Sequence, residues 1–189
     1  AIALSVKLDE SIAESGTRFK VFPQPRILGI FPEPETITIS IPPRMIHPGP
    51  ADERVYVVDA LEKSPYQLDY RPPYIGPATS PVVAGPDGHF DHIDYHDRAF
   101  LSATMYGTVH RVLDIWEDYF GKHFGWHFEP ALGRLELIPL VVWGNAHAGP
   151  GFLEFGYAKG PNGQLDFSQP HCENFDIVAH ELGHSLVFS

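Results

Sequence analysis

The most constraining feature of this 189-residue sequence is a His-Glu-x-x-His pattern inside an apolar stretch near its end. The pattern is formed by His180, Glu181 and His184, within residues 175–189. Residues four apart lie about one turn apart on the same face of an α-helix, so both imidazoles can point at a single ion. Imidazole nitrogens at this spacing are common ligands of zinc. The pattern therefore predicts a helix whose two histidines hold a zinc ion.

The glutamate between the histidines has a different expected role. Glu181 is rotated by about 100° from His180 around the helix axis, so its carboxylate does not join the imidazoles on the metal. It can reach a water molecule bound there, which is the position of a general base. The competing interpretation is that two ordinary histidines flank an incidental glutamate.

The residues around the motif predict the character of its helix. Apolar residues precede it at 177–179 and follow it at 186–188, so the helix should be apolar nearly all round and buried. Asn174 or Asp176 is expected to cap its start. The single cysteine, Cys172, is interpreted as a small buried residue and excludes an internal disulfide.

The third zinc ligand is missing from the pattern. A catalytic zinc takes three protein ligands and one water, and the motif supplies two. The metzincin extension places a glycine where this chain has Val187, and its third histidine would fall after Ser189. Asp176 shares the helix face, but about 12 Å of helix separates it from His184. We therefore expect a downstream segment that supplies a glutamate or other ligand on a following helix and packs on the apolar residues 186–188.

Composition limits the class of protein. The chain is 43% hydrophobic and 20% charged, which is typical of a globular protein, and it is long enough for one sizeable domain or two small ones. The net charge of −11 argues against nucleic acid as a partner, because phosphates would be repelled. No apolar run reaches the length of a membrane span, and no secretory leader is recognisable in the first 20 residues. The cellular compartment stays open.

The first 90 residues predict a β-rich segment followed by a connector. Residues 1–63 contain four runs with strand character, separated by prolines that keep them short. These runs are 3–6, 18–22, 36–41 and 54–58. Residues 64–90 are rich in proline among aromatic residues, which predicts an irregular, partly packed connector.

Residues 89–97 form the densest cluster of histidine and aspartate in the chain. His92, Asp94 and His96 would share one face if the chain were extended, so a second metal site is one interpretation. The other is a polar loop that leads into a helix with Asp94 or Asp97 as its N-cap.

A long helix is predicted from Arg98 to about Phe120, and Gly121 ends it. Its apolar residues recur every three or four positions, and its charged residues are expected on the opposite face. The apolar set is Met105, Val109, Val112, Trp116 and Tyr119, and the charged set is Arg111, Asp114, Glu117 and Asp118. His110 is interpreted as structural.

After the helix, strands are predicted at 134–143 and 152–157, with a loop at 144–151 and a turn at 159–163. His147 in that loop is either a substrate contact or a solvent-exposed histidine.

This order of elements resembles that of the gluzincin metallopeptidases, which include the thermolysin-like and fungalysin-like enzymes. Besides the His-Glu-x-x-His pattern, three short motifs carry the resemblance. Phe120-Gly121 looks like the end of the family's long helix, Asn145-Ala146 like its substrate-binding edge strand, and Phe155-Gly156 like the strand that follows. The resemblance covers about residues 91–189.

The resemblance implies an α+β, zincin-like subdomain: a long helix, a small mixed or antiparallel sheet and the motif helix. It implies that Glu181 activates the zinc water and that Asn145 and the Ala146 backbone hold a peptide by strand addition. It also places the third ligand and the transition-state-stabilising His or Tyr downstream of residue 189. The family's Asp-rich calcium segments are not recognisable in this sequence. Residues 1–90 are expected to be a propeptide-like or family-specific β module.

The sequence thus predicts a β-rich segment at 1–63, a connector at 64–90 and a zincin-like metallopeptidase subdomain at 91–189. The expected activity is zinc-dependent hydrolysis of peptide bonds in a peptide or protein substrate, with Glu181 as base and His180 and His184 as ligands. The alternatives are a non-catalytic module that keeps the zincin scaffold for binding, and an inactive fragment of a longer peptidase.

Overall fold

A computed structural model of the protein describes residues 11–68 and 71–186, except the side chain of Glu129. The elements combine helices and small sheets, so the fold class is α+β. The α-helices for which the described residues give both bounds are α1 (Arg98–Phe120), α2 (Glu129–Leu132) and α3 (Phe175–Leu186). The strands are β1 (Thr17–Val21), β2 (Glu35–Ile39), β3 (Val55–Val57), β4 (Leu135–Ile138), β5 (Ala146–Gly149), β6 (Phe152–Phe155), β7 (Tyr157–Lys159) and β8 (Leu165–Pro170). Short 3₁₀ turns lie at Arg26–Leu28 and His171–Glu173.

The central sheet has four strands in the order β3-β4-β6-β5. β3 runs parallel to β4, β4 runs parallel to β6, and β5 is antiparallel to β6. β1 pairs with β2 and β7 pairs with β8 in two separate antiparallel ribbons. Because β3 belongs to the central sheet, part of the N-terminal segment is built into the same layer as the strands that follow the long helix.

One face of the central sheet packs against the helices. Leu137 of β4 and Leu153 and Phe155 of β6 are fully buried in one core with Val109 of α1 and Leu182 of α3. These side chains alternate with residues that point to the opposite face, as the pleat of a strand requires. The sheet therefore holds α1 and α3 on the same side.

Helix α1 confirms the predicted bounds. It runs from Arg98 to Phe120, and Gly121 ends it in a left-handed conformation, φ 63°, that glycine adopts without strain. Asp97 is the N-cap residue, although its side chain makes no capping hydrogen bond.

The two-sided character predicted for α1 is only partly correct. Met105, Val109 and Val112 are buried, but Tyr119 is exposed near the end of the helix. Asp114, predicted on the solvent side, is buried and accepts hydrogen bonds from the backbone and hydroxyl of Ser40. The reason is that α1 contacts β1 and β2 as well as the central sheet, so it is covered on more than one face.

The strand predictions agree well within the described residues. The runs at 18–22, 36–41 and 54–58 correspond to β1, β2 and β3, within one or two residues at most ends. The run at 152–157 corresponds to β6, and the run at 134–143 contains β4, which stops before Pro139. The run at 3–6 lies outside the described residues. The predicted loop at 144–151 was wrong, because β5 occupies its centre. Gly144 before the strand and Pro150 and Gly151 after it hid a strand of only four residues.

The second face of the central sheet carries two buried carboxylates and is covered by the connector. Glu136 and Glu154 are fully buried on this face. Glu136 accepts hydrogen bonds from the hydroxyl of Tyr66 at 2.7 Å and from the backbone N–H of Tyr74 at 2.8 Å. Burial and the neighbouring Glu136 carboxylate raise the pKa of Tyr66, so its phenol stays a donor. The proline-rich connector is therefore packed onto the sheet by hydrogen bonds to buried carboxylates.

A second buried polar cluster joins α1 to the loop before β3. The hydroxyl of Tyr106 donates to Asp52 Oδ2 at 2.5 Å. His110 Nε2 lies 2.6 Å from the same oxygen, an ion-pair distance, although the ring N–H does not point straight at it. Burial opposes ionisation of Asp52, but His110, Tyr106 and the backbone of Arg54 outweigh it and hold the pKa of this carboxyl below its usual value. This cluster confirms that His110 is structural.

We expect Asp52→Asn to lower the free energy of unfolding at pH 7 by roughly 1.5–3 kcal/mol, the range for a charged hydrogen bond. Because the pKa of Asp52 is lower in the folded state, its stabilisation is complete above the unfolded-state pKa of about 3.9 and is lost as the pH falls through the folded-state pKa. Urea unfolding from pH 7 to pH 2.5 should show the wild-type and variant curves converging below about pH 4. A stability difference that is the same at every pH would contradict this role.

The cluster at 89–97 is a polar loop. The guanidinium of Arg18 lies against this loop: Nε donates to Asp91 at 2.7 Å, and Nη1 lies 2.9 Å from His89 Nε2. Nη2 donates to Asp87, just before the loop, at 3.3 Å. A cation therefore already neutralises these groups. His96 and Asp94 bond to each other and are both exposed.

None of the described helices combines the length and the apolar character needed to cross a lipid bilayer.

Candidate metal centre

The motif lies on α3, and its neighbours fix how the helix is turned. The side chain of Asn174 accepts hydrogen bonds from the backbone N–H groups of Asp176 at 3.1 Å and Ile177 at 3.3 Å, so Asn174 is the N-cap. Val178 and Leu182 are fully buried in the core. Residues three or four positions apart share one side of a helix, whereas residues two positions apart lie on nearly opposite sides. His180 and His184 are each two positions from Leu182, so they lie on the side of α3 that faces away from the core.

His180 and His184 point at the same place. Their Nε2 atoms are 3.2 Å apart, and the planes of the two rings are nearly perpendicular, at 87°. Two nitrogens that bind one tetrahedral zinc at 2.0–2.1 Å are separated by about 3.3 Å, so the observed spacing fits a shared ion. The same distance also fits an N–H···N hydrogen bond between two neutral imidazoles.

The histidine face of α3 is exposed. His180 and His184 lie on the solvent side together with Asp176, whereas Glu181 is half-buried. The prediction of a helix buried nearly all round was therefore wrong for this face within the described part of α3. The apolar residues of α3 pack against the core on one side of the helix, and the other side of the helix can stay exposed to solvent.

Glu181 lies where two surface hollows meet. A hollow of about 530 Å³, the His184 hollow, is lined by His127, Ala146–Pro150, Glu181, His184 and Ser185. A second hollow of about 330 Å³, the His180 hollow, is lined by Asn145, Ala146, His171, Asn174, Asp176, Ile177, His180 and Glu181. Ala146 and Glu181 border both hollows. Glu181, which is expected to act as base, therefore borders a cleft between α3 and the start of β5.

The cleft runs along the free edge of the central sheet. β5 is the last strand in the sheet order, and it contacts α3. The carbonyl of Asn145 accepts a hydrogen bond from the Gly156 N–H at 2.8 Å, which directs that residue toward β6. Backbone groups alternate in direction along an antiparallel strand, so the N–H and C=O groups of Ala146 and Ala148 point away from β6. Asn145 and Ala146 thus lie beside Glu181 at the start of this edge.

No third His, Cys, Asp or Glu completes a metal-binding group among residues 11–68 and 71–186. Cys172 is buried, and burial raises the pKa of its thiol well above the usual value, so it stays protonated. Among the described residues, His180 and His184 are thus a pair that could share a metal, without a third ligand beside them.

Two residues of the cleft were missed or misjudged from sequence. His127 lines the His184 hollow, and no motif in the sequence around it indicates a functional residue. The interpretation of His147 as solvent-exposed was wrong, because it is half-buried on β5 with its Nε2 bonded to the buried carboxylate of Glu154. The alternative that His147 contacts a substrate stays a prediction. The pairing of β5 with β6 sets His147 opposite Glu154, and only the strand register could have revealed it.

We expect either His180→Ala or His184→Ala to weaken zinc binding by more than 100-fold. Loss of a residue that only hydrogen-bonds to a metal ligand typically weakens binding by roughly 10- to 100-fold, and loss of the ligand itself should cost more. Competition titration with a chromogenic zinc chelator measures the affinity. His96→Ala is the matched control, since that histidine is exposed and lies in the loop before α1. Unchanged zinc affinity in both motif variants would contradict a shared metal site.

The sequence matches no protein-family model, and no curated protein matches it significantly, so the function has to be inferred from the residues and their geometry.

Proposed function

We propose that this chain carries the zinc-binding and general-base part of a zinc-dependent metallopeptidase with a zincin-like arrangement of α1, the central sheet and α3. The observation that carries the proposal is the spacing of 3.2 Å between the Nε2 atoms of His180 and His184 on a helix that also presents Glu181 to the cleft. This spacing is the one expected for two nitrogens that share a tetrahedral zinc, and the neighbouring Glu181 supplies a base beside it.

The edge of β5 supports a peptide as the substrate. An extended chain can add to this edge and form backbone hydrogen bonds with Ala146 and Ala148. Such a chain would run past Glu181, which borders the hollows on both sides of Ala146. Asn145 lies in the His180 hollow, within reach of the same chain. The backbone of the substrate is thereby recognised without regard to its sequence.

When bound, zinc lowers the pKa of a water molecule to about 7 and polarises the carbonyl that is attacked. His180 and His184 would hold the ion through their Nε2 atoms. Glu181 accepts the proton of the attacking water and passes it to the amine that leaves when the C–N bond breaks. Ala146 and Ala148 keep the scissile bond in register with Glu181. A third ligand would come from outside the described residues.

Hydrolysis of a general peptide mixture by the native protein tests this proposal. Product amines should appear with stoichiometric zinc, disappear after treatment with a chelator and return on addition of zinc. A zinc-loaded protein that leaves all peptides intact would contradict the proposal.

The second candidate function is a non-catalytic module that binds a partner on the same cleft. It is favoured by the distance between His180 and His184, which also fits a direct hydrogen bond without a metal. It is also favoured by the number of candidate ligands at this place: the described residues offer two, and a catalytic zinc takes three. Metal analysis of the native protein separates the two functions. The protein is first dialysed against zinc at a free concentration well above the dissociation constant of a typical protein zinc site. A content below about 0.1 zinc per chain would then favour the binding module.

A further inference from the structure

The His180 hollow, of about 330 Å³, lies where β5 begins and α3 makes its first turns. Ala146 and Glu181 line it, and the same two residues line the larger His184 hollow. The His184 hollow continues along β5 as far as Pro150. The two hollows therefore follow one another along the free edge of the sheet, and Glu181 borders both.

The pleat of β5 shows which side chains of an added peptide face these hollows. Ala146 and Ala148 pack on the core that contains Val178 of α3. The side chain of His147 points to the other face of the sheet, where it bonds to Glu154. A peptide that adds to this edge has the same two-residue alternation, so every second side chain faces α3. The one that lies beside Ala146 enters the His180 hollow.

The described residues that line the His180 hollow include two carboxylates, Asp176 and Glu181, and no lysine or arginine. They come from 145–146 and 171–181, which lie in a stretch, 71–186, whose backbone the structure describes without a gap. Burial lowers the pKa of His171, so this ring adds no positive charge at pH 7. A cation in this hollow would therefore meet carboxylates without a competing cation from the described lining residues.

The groups around Asp176 leave its exposed carboxylate without a hydrogen bond or ion pair to another described residue. The N–H groups at the start of α3 donate to the side chain of Asn174, the N-cap. Arg26 contacts the 3₁₀ turn before this helix, but it is paired with the buried carboxylate of Glu173 at 3.2 Å. Asp176 also lies about 9 Å of helix before the midpoint of the motif histidines, too far to bind the same ion. Its charge is thus left to act on a group in the hollow.

We propose that the His180 hollow selects a lysine or arginine side chain in a peptide bound along β5, and that Asp176 determines this preference. The aliphatic stem of such a side chain can lie on Ala146 and Ile177 while its charged end reaches Asp176 near the solvent. This inference rests on the proposed function for the position of the peptide, and it adds the chemical class of residue that the substrate carries.

Peptide binding to the Glu181→Gln protein tests the inference without requiring hydrolysis. In this variant, Asp176 is the carboxylate that remains among the described lining residues. The probes are fluorescent peptides of alanine and threonine, blocked at both ends, with one central Lys, Gln or Glu. Fluorescence anisotropy should show Lys binding roughly 5-fold more tightly than Gln, the effect of one partly exposed ion pair. Equal affinity of the Lys and Gln peptides would overturn the inference.

Substitution of Asp176 identifies the group responsible. Asp176→Asn keeps the size of the side chain and should remove the preference for Lys, and Asp176→Lys should reverse it in favour of Glu. Glu53→Gln is the matched control, because Glu53 is exposed just before β3, at the opposite edge of the central sheet. A preference for Lys that is unchanged in Asp176→Asn would reflect the net charge of −11 alone and would overturn the inference.

The inference and the proposed function fail in different ways. Cleavage sites mapped by mass spectrometry in a protein digest should place Lys or Arg at one fixed position beside the cut bond. Cleavage by the wild-type protein without such a preference would retain the peptidase and overturn the inference. Binding with the expected preference but without cleavage would retain the hollow and contradict the peptidase. Failure of every peptide to bind would overturn the inference as well.

Discussion

Replacement of Glu181 by glutamine is expected to reduce peptide hydrolysis by roughly 10²- to 10⁴-fold, the usual contribution of a general base. Glutamine has nearly the same shape as glutamate but cannot accept a proton at neutral pH. Zinc content and thermal unfolding should stay at wild-type values, because Glu181 is half-buried at the cleft and does not hold the core together. The measurements are kcat/KM on a fluorogenic peptide and zinc per chain by atomic absorption.

The matched control for this change is Glu35→Gln. Glu35 is an exposed glutamate at the start of β2, in the ribbon on which the far side of α1 packs. Its replacement should leave kcat/KM unchanged. Wild-type hydrolysis by the Glu181→Gln protein would remove the proposed base, and loss of zinc from that variant would assign Glu181 to the metal.

Replacement of Lys63 by methionine is expected to lower the free energy of unfolding by about 3–5 kcal/mol. Lys63 is almost completely buried, with its side chain 3% exposed, and it pairs with Glu154 at 2.5 Å. Its ammonium also lies 3.3 Å from the centre of the Tyr66 ring. The variant would leave the fully buried carboxylate of Glu154 without its main counter-charge. Urea unfolding at pH 7 measures the effect.

A double variant distinguishes the lost charge from lost packing. In Lys63→Met with Glu154→Gln, no buried carboxylate is left unpaired, and the amide can still accept the Tyr66 N–H. The double variant should therefore recover most of the stability that the single Lys63 change removes. A single variant within 1 kcal/mol of wild type would show that this pair contributes little to the fold.

The parts of the site that depend on local sequence could be predicted. The spacing of His180 and His184 on a helix gives their shared direction, and the N-cap residue at 174 follows from its position before the apolar run. The bounds of α1 follow from the apolar period and Gly121. In each case the information lies within one helix and the residues next to it.

The parts that depend on pairing could not be predicted. β5 is four residues long between glycines, and only its pairing with β6 makes it a strand. The alternation of residues in β6 predicts that Glu154 faces away from the apolar core. Its complete burial depends on Lys63, which lies in a different segment of the chain. Asp114 is polar by type and buried because β2 brings Ser40 to it. Contacts between distant segments decide all three.

The parallel pairing of β3 with β4 joins residue 55 to residue 135. A polypeptide is synthesised from its N-terminus, so β3 leaves the ribosome long before its partner exists. Pairings between such distant residues carry a large loop-closure entropy and form slowly. The central sheet, whose edge strand β5 lies beside the motif helix, therefore cannot be completed until α1 and the following 30 or so residues have been made. A nascent chain stopped before β4 would hold the long helix without the layer on which it packs.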